Sequence, residues 1–61
     1  MLSIREINRL CLTGKPVVAQ YYTTTGLGQA RIIRARRANG QLQGKLLGSG
    51  QWVTLRAVWP A

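Results

Sequence analysis

The chain has almost none of the side chains that catalyse acid–base reactions or bind metals. Its 61 residues include no histidine, and Glu6 is the only acidic residue. General acid–base catalysis draws mainly on His, Asp and Glu, and no imidazole is present to activate the one cysteine, Cys11. We therefore expect a protein that is not an enzyme. One Cys and one Glu are also too few for a four-ligand zinc site or an internal disulfide, so the sequence predicts no metal and no cofactor.

Long apolar segments are missing as well. No apolar run approaches the ~20 residues that span a bilayer, and the N-terminal region lacks the apolar core and cleavage site of a secretory signal. We expect a soluble, cytoplasmic protein with no membrane partner. A chain of this length forms a single domain, residues 1–61, with a small core. Either tight packing of a monomer or assembly into a homo-oligomer must then stabilise the fold.

Positive charge is what the sequence has in excess. Nine Lys and Arg residues against one acid give a formal net charge of +8 and an isoelectric point of about 11.6. This imbalance predicts affinity for polyanions. Two kinds of partner fit it: nucleic acid (DNA or RNA), which we favour, and the acidic surface of another protein.

The first segment has the pattern of a short helix, residues 3–12. Ser3 followed by Glu6 fits a capping box, in which each side chain accepts a hydrogen bond from the backbone amide of the other residue. Apolar residues then recur at spacings of three and four, and Gly14 follows as a C-terminal stop. This pattern gives Glu6 a structural role and places Cys11 on the apolar face of the helix.

The rest of the chain, from Pro16, is predicted to form four short strands. Segments rich in Val and Tyr, or with alternating character, are separated by turns that contain glycine. Asn39-Gly40 is the strongest turn signal, because a two-residue hairpin favours this pair. The predicted elements are strands over residues 16–22, 29–37, 41–47 and 51–56, a loop over 23–28, a turn over 48–50 and one 3₁₀ turn over 57–59.

Alternation along the strands predicts which side chains face the core. The second strand breaks this alternation, because continuing the phase of Ile32 would bury Arg34. An unpaired Arg is too costly to bury in a small core, so we predict a β-bulge or a sharp bend near Ile33 and Arg34. Tyr22 and Trp52 are expected to be partly exposed. The residues predicted to face inward are Leu42, Gly44 and Leu46 in the third strand, Val53, Leu55 and Ala57 in the fourth, and the aromatic residues Tyr21 and Trp59.

Five short segments within residues 16–60 follow a recognisable order of strands and turns. They are Ala19-Gln20-Tyr21, Ala30-Arg31-Ile32, Asn39-Gly40, Gly48-Ser49-Gly50 and Val53-Thr54-Leu55. This order resembles the SH3-like barrels of the Tudor type, and it is similar to the C-terminal domain of retroviral integrase, a DNA-binding SH3-like barrel. The resemblance implies a mainly β fold: a small antiparallel barrel of four or five strands with a short N-terminal α-helix.

The sequence departs from the Tudor pattern at two places. Gly48-Ser49-Gly50 occupies the turn where Tudor domains carry an aromatic residue of their cation cage, which disfavours a reader of methylated lysine. Only Ala61 follows Pro60, so the closing fifth strand is expected to be nearly absent. Two arrangements would then complete the barrel: the N-terminal helix plugs its open end, or a second subunit supplies the missing strand.

The candidate binding residues are the clustered cations and the aromatic side chains near them. Clustered Arg side chains bind phosphates bidentately and stack on bases, and exposed aromatic rings add stacking surfaces. We therefore predict nucleic-acid binding, mainly through phosphates. The predicted nucleic-acid-binding residues are Arg31, Arg34, Arg36, Arg37, Lys45, Tyr22 and Trp52.

A second hypothesis uses the same charge differently. The chain is then an interaction module, of the kind that phages and plasmids encode, which docks its basic face on an acidic host protein. Protein interfaces need an apolar anchor, so this hypothesis predicts that Trp52 and Tyr22 form one apolar patch with Leu47. A nucleic-acid site would instead spread its aromatic rings along a groove lined by Arg.

Overall fold

A computed structural model of the chain describes residues 2–61 and shows a small antiparallel barrel preceded by a short helix. The elements in this range are α1 (Ile4–Leu12), β1 (Val17–Thr23), β2 (Gly26–Ala38), β3 (Gln41–Leu46) and β4 (Trp52–Pro60). The strands close into a ring in the order β1-β2-β3-β4, with β1 paired to both β2 and β4. The mainly β architecture is therefore confirmed. Between residues 2 and 61, no helix has the length and apolar character needed to cross a bilayer.

Helix α1 begins and ends as the sequence predicts. The Glu6 N–H donates to Ser3 Oγ over 3.1 Å and the Ser3 N–H donates to Glu6 Oε1 over 3.3 Å, which completes the capping box. These hydrogen bonds to Ser3 hold the pKa of Glu6 below its ordinary value of 4.5. At the other end, Gly14 adopts a φ of +79°, and the Lys15 N–H donates to the Leu10 carbonyl. This left-handed ending favours glycine.

Strands β2 and β4 each pair with two neighbouring strands, so they connect the two halves of the barrel. One half is formed by β1 with the parts of β2 and β4 that pair with it (the β1–β2 half), and the other by β3 with the remaining parts of β2 and β4. The first part of β2 pairs with β1 and the rest pairs with β3, while β4 changes partner from β3 to β1. The pairing of β2 with β3 shifts register between Ile32 and Arg34, so the predicted bulge is confirmed. The bulge keeps Ile32 and Ala35 buried while Arg34 remains exposed.

Two segments that were expected to be irregular are strand instead. Residues 57–59 are not a 3₁₀ turn: they continue β4 and pair with β1, and this pairing closes the ring within the chain. The predicted loop over residues 23–28 shrinks to a tight turn, because Gly26 pairs with Thr23. Both predictions are wrong for the same reason, since pairing with a neighbouring strand overrides weak local preferences.

A bulge in β4 changes which residues face the core. The pairing with β1 skips Arg56, and the alternation reverses beyond it. Val58 is therefore buried, whereas Ala57 is only partly buried, and the predicted inward position of Ala57 is wrong. Trp59, also predicted to face inward, is 36% exposed.

Apolar side chains from the helix and the strands fill the barrel. Ile7 is completely buried, so α1 contributes directly to the core. Leu42 and Leu46 pack against the core and Gly44 is buried, as the alternation of β3 predicts. Tyr21 also packs against the core while remaining partly accessible. The buried apolar residues are Ile7, Val17, Ala19, Ile32, Ala35, Leu55 and Val58.

Helix α1 covers an edge of β2. Asn8 Nδ2 donates to the Ala35 carbonyl over 3.0 Å, and the Ala35 N–H donates to Asn8 Oδ1 over 2.8 Å. The Asn8 amide therefore takes the hydrogen-bonding place of a neighbouring strand. Farther along α1, Cys11 Sγ lies 3.7 Å from the carbonyl oxygen of Ile32. The helix thus protects a strand edge, whereas the sequence had left open whether it plugs an end of the barrel.

Candidate nucleic-acid interface

The outer surface of β2, β3 and β4 brings together several of the predicted binding residues. The register pairs Arg34 with Lys45 and Lys45 with Trp52, so these three residues form a row across the strands. Arg36 and Gln43 are paired in the next row on the same side. We call this surface the cationic face; it comprises Arg34, Arg36, Gln43, Lys45 and Trp52.

Arg36 lies across β3 in a fixed orientation. Its guanidinium carbon is 4.0 Å from the centroid of the Trp52 ring, which is a cation–π contact between β2 and β4. Arg36 Nε also donates to Gln43 Oε1 over 2.9 Å. One face of the planar guanidinium and one N–H are therefore engaged. Because Arg36 is an exposed residue, the other face and the remaining N–H groups are available to a ligand.

No acidic side chain is available to neutralise the cationic face. Glu6, the only acid in the sequence, caps the start of α1. Arg34 and Lys45 are directly opposite each other on neighbouring strands, and like charges at such positions destabilise a sheet. A bound anion would relieve this repulsion.

A groove borders the cationic face where β2 meets α1. Its volume is about 260 Å³, and exposed Leu12 (83%) and Ile33 (42%) give it apolar walls. Burial raises the pKa of the Cys11 thiol and the charge of Arg31 opposes that shift, so the thiol stays protonated near neutral pH. We call this cleft the α1–β2 groove; it is lined by Asn8, Cys11, Leu12, Ile33, Arg34 and Lys45.

Three of the predicted binding residues are placed elsewhere on the barrel. Arg31 pairs with Val18 and Tyr22 pairs with Leu27, where β1 pairs with β2. Arg31 nevertheless lies near enough to the α1–β2 groove for its charge to act on Cys11. Arg37 is exposed near the β2–β3 hairpin. Because it directly follows Arg36 in β2, the alternation of the strand places it on the other side of the sheet from the cationic face. The structure therefore assembles Arg34, Arg36, Lys45 and Trp52 on one face, and it places Arg31, Arg37 and Tyr22 outside that face.

Sequence reasoning missed three residues that shape this region. Gln43 alternates with Lys45 on β3, so the period of two could have placed it on the same face. Asn8 is a polar residue inside the apolar stripe of α1, and this pattern indicates that its amide forms hydrogen bonds with a neighbouring element. Leu12 lies at the end of the same helix, and only the packing of α1 on β2 shows that it lines a groove.

Comparison with known proteins gives no relative from which a role could be transferred. No protein-family model matches the chain, and neither a curated protein nor a solved structure matches it. Function must therefore be inferred from the chemistry of the cationic face and the α1–β2 groove.

Proposed function

We propose that the protein binds nucleic acid, chiefly through phosphates, and that the cationic face is the contact surface. The observation that carries this proposal is the row of Arg34, Lys45 and Trp52 beside the fixed guanidinium of Arg36. Side chains at paired positions of adjacent strands are about 5 Å apart, so Arg34 and Lys45 can contact one phosphate together. Arg adds bidentate hydrogen bonds to phosphate oxygens, which Lys cannot form.

The acidic-protein hypothesis explains the charge equally well but has less support from the geometry. Its expected apolar patch consists of Trp52, Tyr22 and Leu47. Leu47 is exposed, but Tyr22 lies where β1 pairs with β2, and Trp52 has the Arg36 guanidinium against its ring. Protein interfaces favour a desolvated apolar centre, whereas nucleic-acid interfaces are polar, hydrated and strongly positive. The cationic face has the second character, and we therefore favour nucleic acid.

The barrel is, in this proposal, an SH3-like fold of the Tudor type. Asn39 and Gly40 support it, because their φ values of 53° and 73° define a tight hairpin turn in the expected place. The bulge between Ile32 and Arg34, where β2 changes partner, supports it as well. An experimental structure superposed on SH3-like domains would test this assignment, and a different strand order would contradict it.

Titration of a labelled single strand and a labelled duplex at two salt concentrations tests nucleic-acid binding. The logarithm of the association constant should fall linearly with the logarithm of salt concentration, with a slope of about −0.7 to −0.9 for each phosphate contacted. Undetectable binding at low salt, or affinity that does not weaken as salt rises, would overturn the proposal.

A matched pair of variants tests whether the cationic face is the contact surface. Arg34→Gln with Lys45→Gln should weaken binding at least about tenfold and reduce the salt slope by about one phosphate contact, because both cations are placed at the same phosphate. Arg5→Gln with Lys15→Gln removes the same charge from exposed positions outside this face, and should bind almost as tightly as the parent protein. An equal loss in both double variants would show that net charge alone drives binding.

A further inference from the structure

Phosphate binding alone does not explain how Arg36 is held. Its guanidinium lies over the Trp52 ring and its Nε is fixed by Gln43, so the plane of the group is set before any ligand arrives. Bidentate phosphate binding also benefits from a fixed plane, but it uses the N–H edge of the guanidinium and leaves its outer face open. That exposed and pre-oriented face is a stacking surface for a nucleobase.

The spacing of the neighbouring cations fits one nucleotide. Lys45 is paired with Trp52, and Arg34 is paired with Lys45, in steps of about 5 Å from strand to strand. A base stacked on Arg36 therefore has its own phosphate within reach of Lys45 and Arg34. The same two cations line the α1–β2 groove, so they stand between the Arg36–Trp52 contact and that groove.

The α1–β2 groove suits a second unpaired base. Leu12 and Ile33 offer apolar surface for a ring, and Arg34 and Lys45 supply positive charge for the phosphate that accompanies it. The groove volume of about 260 Å³ is below the roughly 300–1,000 Å³ of sites for drug-sized ligands. A single planar ring therefore fits the groove better than a larger ligand does.

Building on the proposed function, we infer that the cationic face binds single-stranded nucleic acid, DNA or RNA, in preference to a duplex. One unpaired base stacks on Arg36, its phosphate lies between Lys45 and Arg34, and the neighbouring base enters the α1–β2 groove. The strand then runs across β4, β3 and β2 towards α1. In a duplex the base faces are already stacked on each other, so a duplex contacts this surface through phosphates only.

Four probes of equal length separate base stacking from phosphate contact: single-stranded DNA, single-stranded RNA, an abasic single strand and a DNA duplex. At one salt concentration, we expect the strands with bases to bind about tenfold more tightly than the abasic strand and the duplex, since stacking of one base on this surface is sufficient for that difference. Comparing the affinities of the DNA strand and the RNA strand shows which of the two nucleic acids the surface prefers.

Arg36→Lys is the decisive variant because it keeps the charge and removes the planar guanidinium. It should weaken binding of the strands with bases about tenfold, with no change for the abasic strand, the duplex or the salt slope. Leu12→Ser tests the groove and should weaken only the strands with bases, several-fold. Leu27→Ser, at an exposed position in the β1–β2 half, is its control and should bind like the parent.

The single-strand inference and the proposed function fail in different ways. If all four probes bind with equal affinity and Arg36→Lys changes none of them, base stacking is excluded and phosphate binding stands. If Leu12→Ser binds strands with bases as tightly as Leu27→Ser does, the groove holds no base. The placement of the second base in the α1–β2 groove is then wrong. If none of the four probes binds at low salt, the proposed function itself is wrong.

Discussion

Position 44 shows how closely β3 approaches the core of the barrel. A Cβ atom on Gly44 would lie 2.9 Å and 3.0 Å from the two Cδ atoms of Leu55, and 3.2 Å from Cγ2 of Ile32. Both neighbours are buried, and a closely packed interior gives them little space to move aside. Glycine is therefore favoured at this position by contact, not by its backbone conformation.

Gly44→Ala should destabilise the protein by about 1–3 kcal/mol through overpacking. Urea denaturation monitored by tryptophan fluorescence measures this change in the free energy of unfolding. Adding Leu55→Val to the same chain shortens the side chain nearest to the new methyl group and should recover part of the loss. An unchanged free energy of unfolding in Gly44→Ala would show that β3 has more room than these distances indicate.

At the scale of elements, the attachment of α1 to the barrel depends on Asn8 as well as on the buried Ile7. The Asn8 amide satisfies both the N–H and the carbonyl of Ala35, a buried residue on the covered edge of β2. An uncovered strand edge is also a template for pairing with other chains. Loss of the amide would therefore affect both stability and association.

Asn8→Ala should destabilise the protein by about 1–3 kcal/mol, because it leaves buried backbone groups of Ala35 unpaired. Asn8→Asp separates the two hydrogen bonds, since a carboxylate still accepts from the Ala35 N–H but cannot donate to its carbonyl. We expect Asn8→Asp to be destabilised too. Urea denaturation gives both free energies, and hydrogen exchange at Ala35 reports the edge directly. Full protection of that amide in Asn8→Ala would contradict this role.

Elements with local signals could be predicted from the sequence, and those set by distant pairing could not. The capping box of Ser3 and the Asn39-Gly40 turn depend on near neighbours, and both are where the sequence predicts them. The bulge at Arg56 depends on how β4 meets β1, so the burial of Val58 and the exposure of Trp59 had no local signal.

The same distinction applies to the candidate site. The pairing of Arg34 with Lys45 follows from the hairpin turn, because a two-residue turn fixes the register of the strands that it joins, apart from the bulge. The contact of Arg36 with Trp52 spans three strands, and no spacing in the sequence indicates it. The α1–β2 groove likewise exists only once the helix is packed on β2.

On the scale of the whole molecule, a small body carries a large charge. The protein measures 32 × 23 × 20 Å and has a formal charge of +8. The Debye length is about 30 Å at about 0.01 M salt, so at that concentration each cation is repelled by nearly all the others. At about 0.15 M salt it is about 8 Å, and only neighbouring charges interact. Self-repulsion should therefore destabilise the folded state most at low salt.

We expect the urea midpoint to rise as NaCl increases from about 0.01 M to about 0.15 M. The m-value, which is the slope of the free energy of unfolding against urea concentration, should stay the same. Arg5→Gln, Lys15→Gln and Arg37→Gln together remove three exposed cations outside the cationic face, so this variant should be more stable at low salt and less sensitive to NaCl. A midpoint that falls with NaCl would contradict the repulsion. If the proposed binding is correct, an oligonucleotide that binds the folded protein more tightly than the unfolded chain should raise the urea midpoint. Its effect on the midpoint should therefore be largest at low salt and fade over the range of NaCl in which the free protein gains stability, because the same ions screen both the repulsion and the binding.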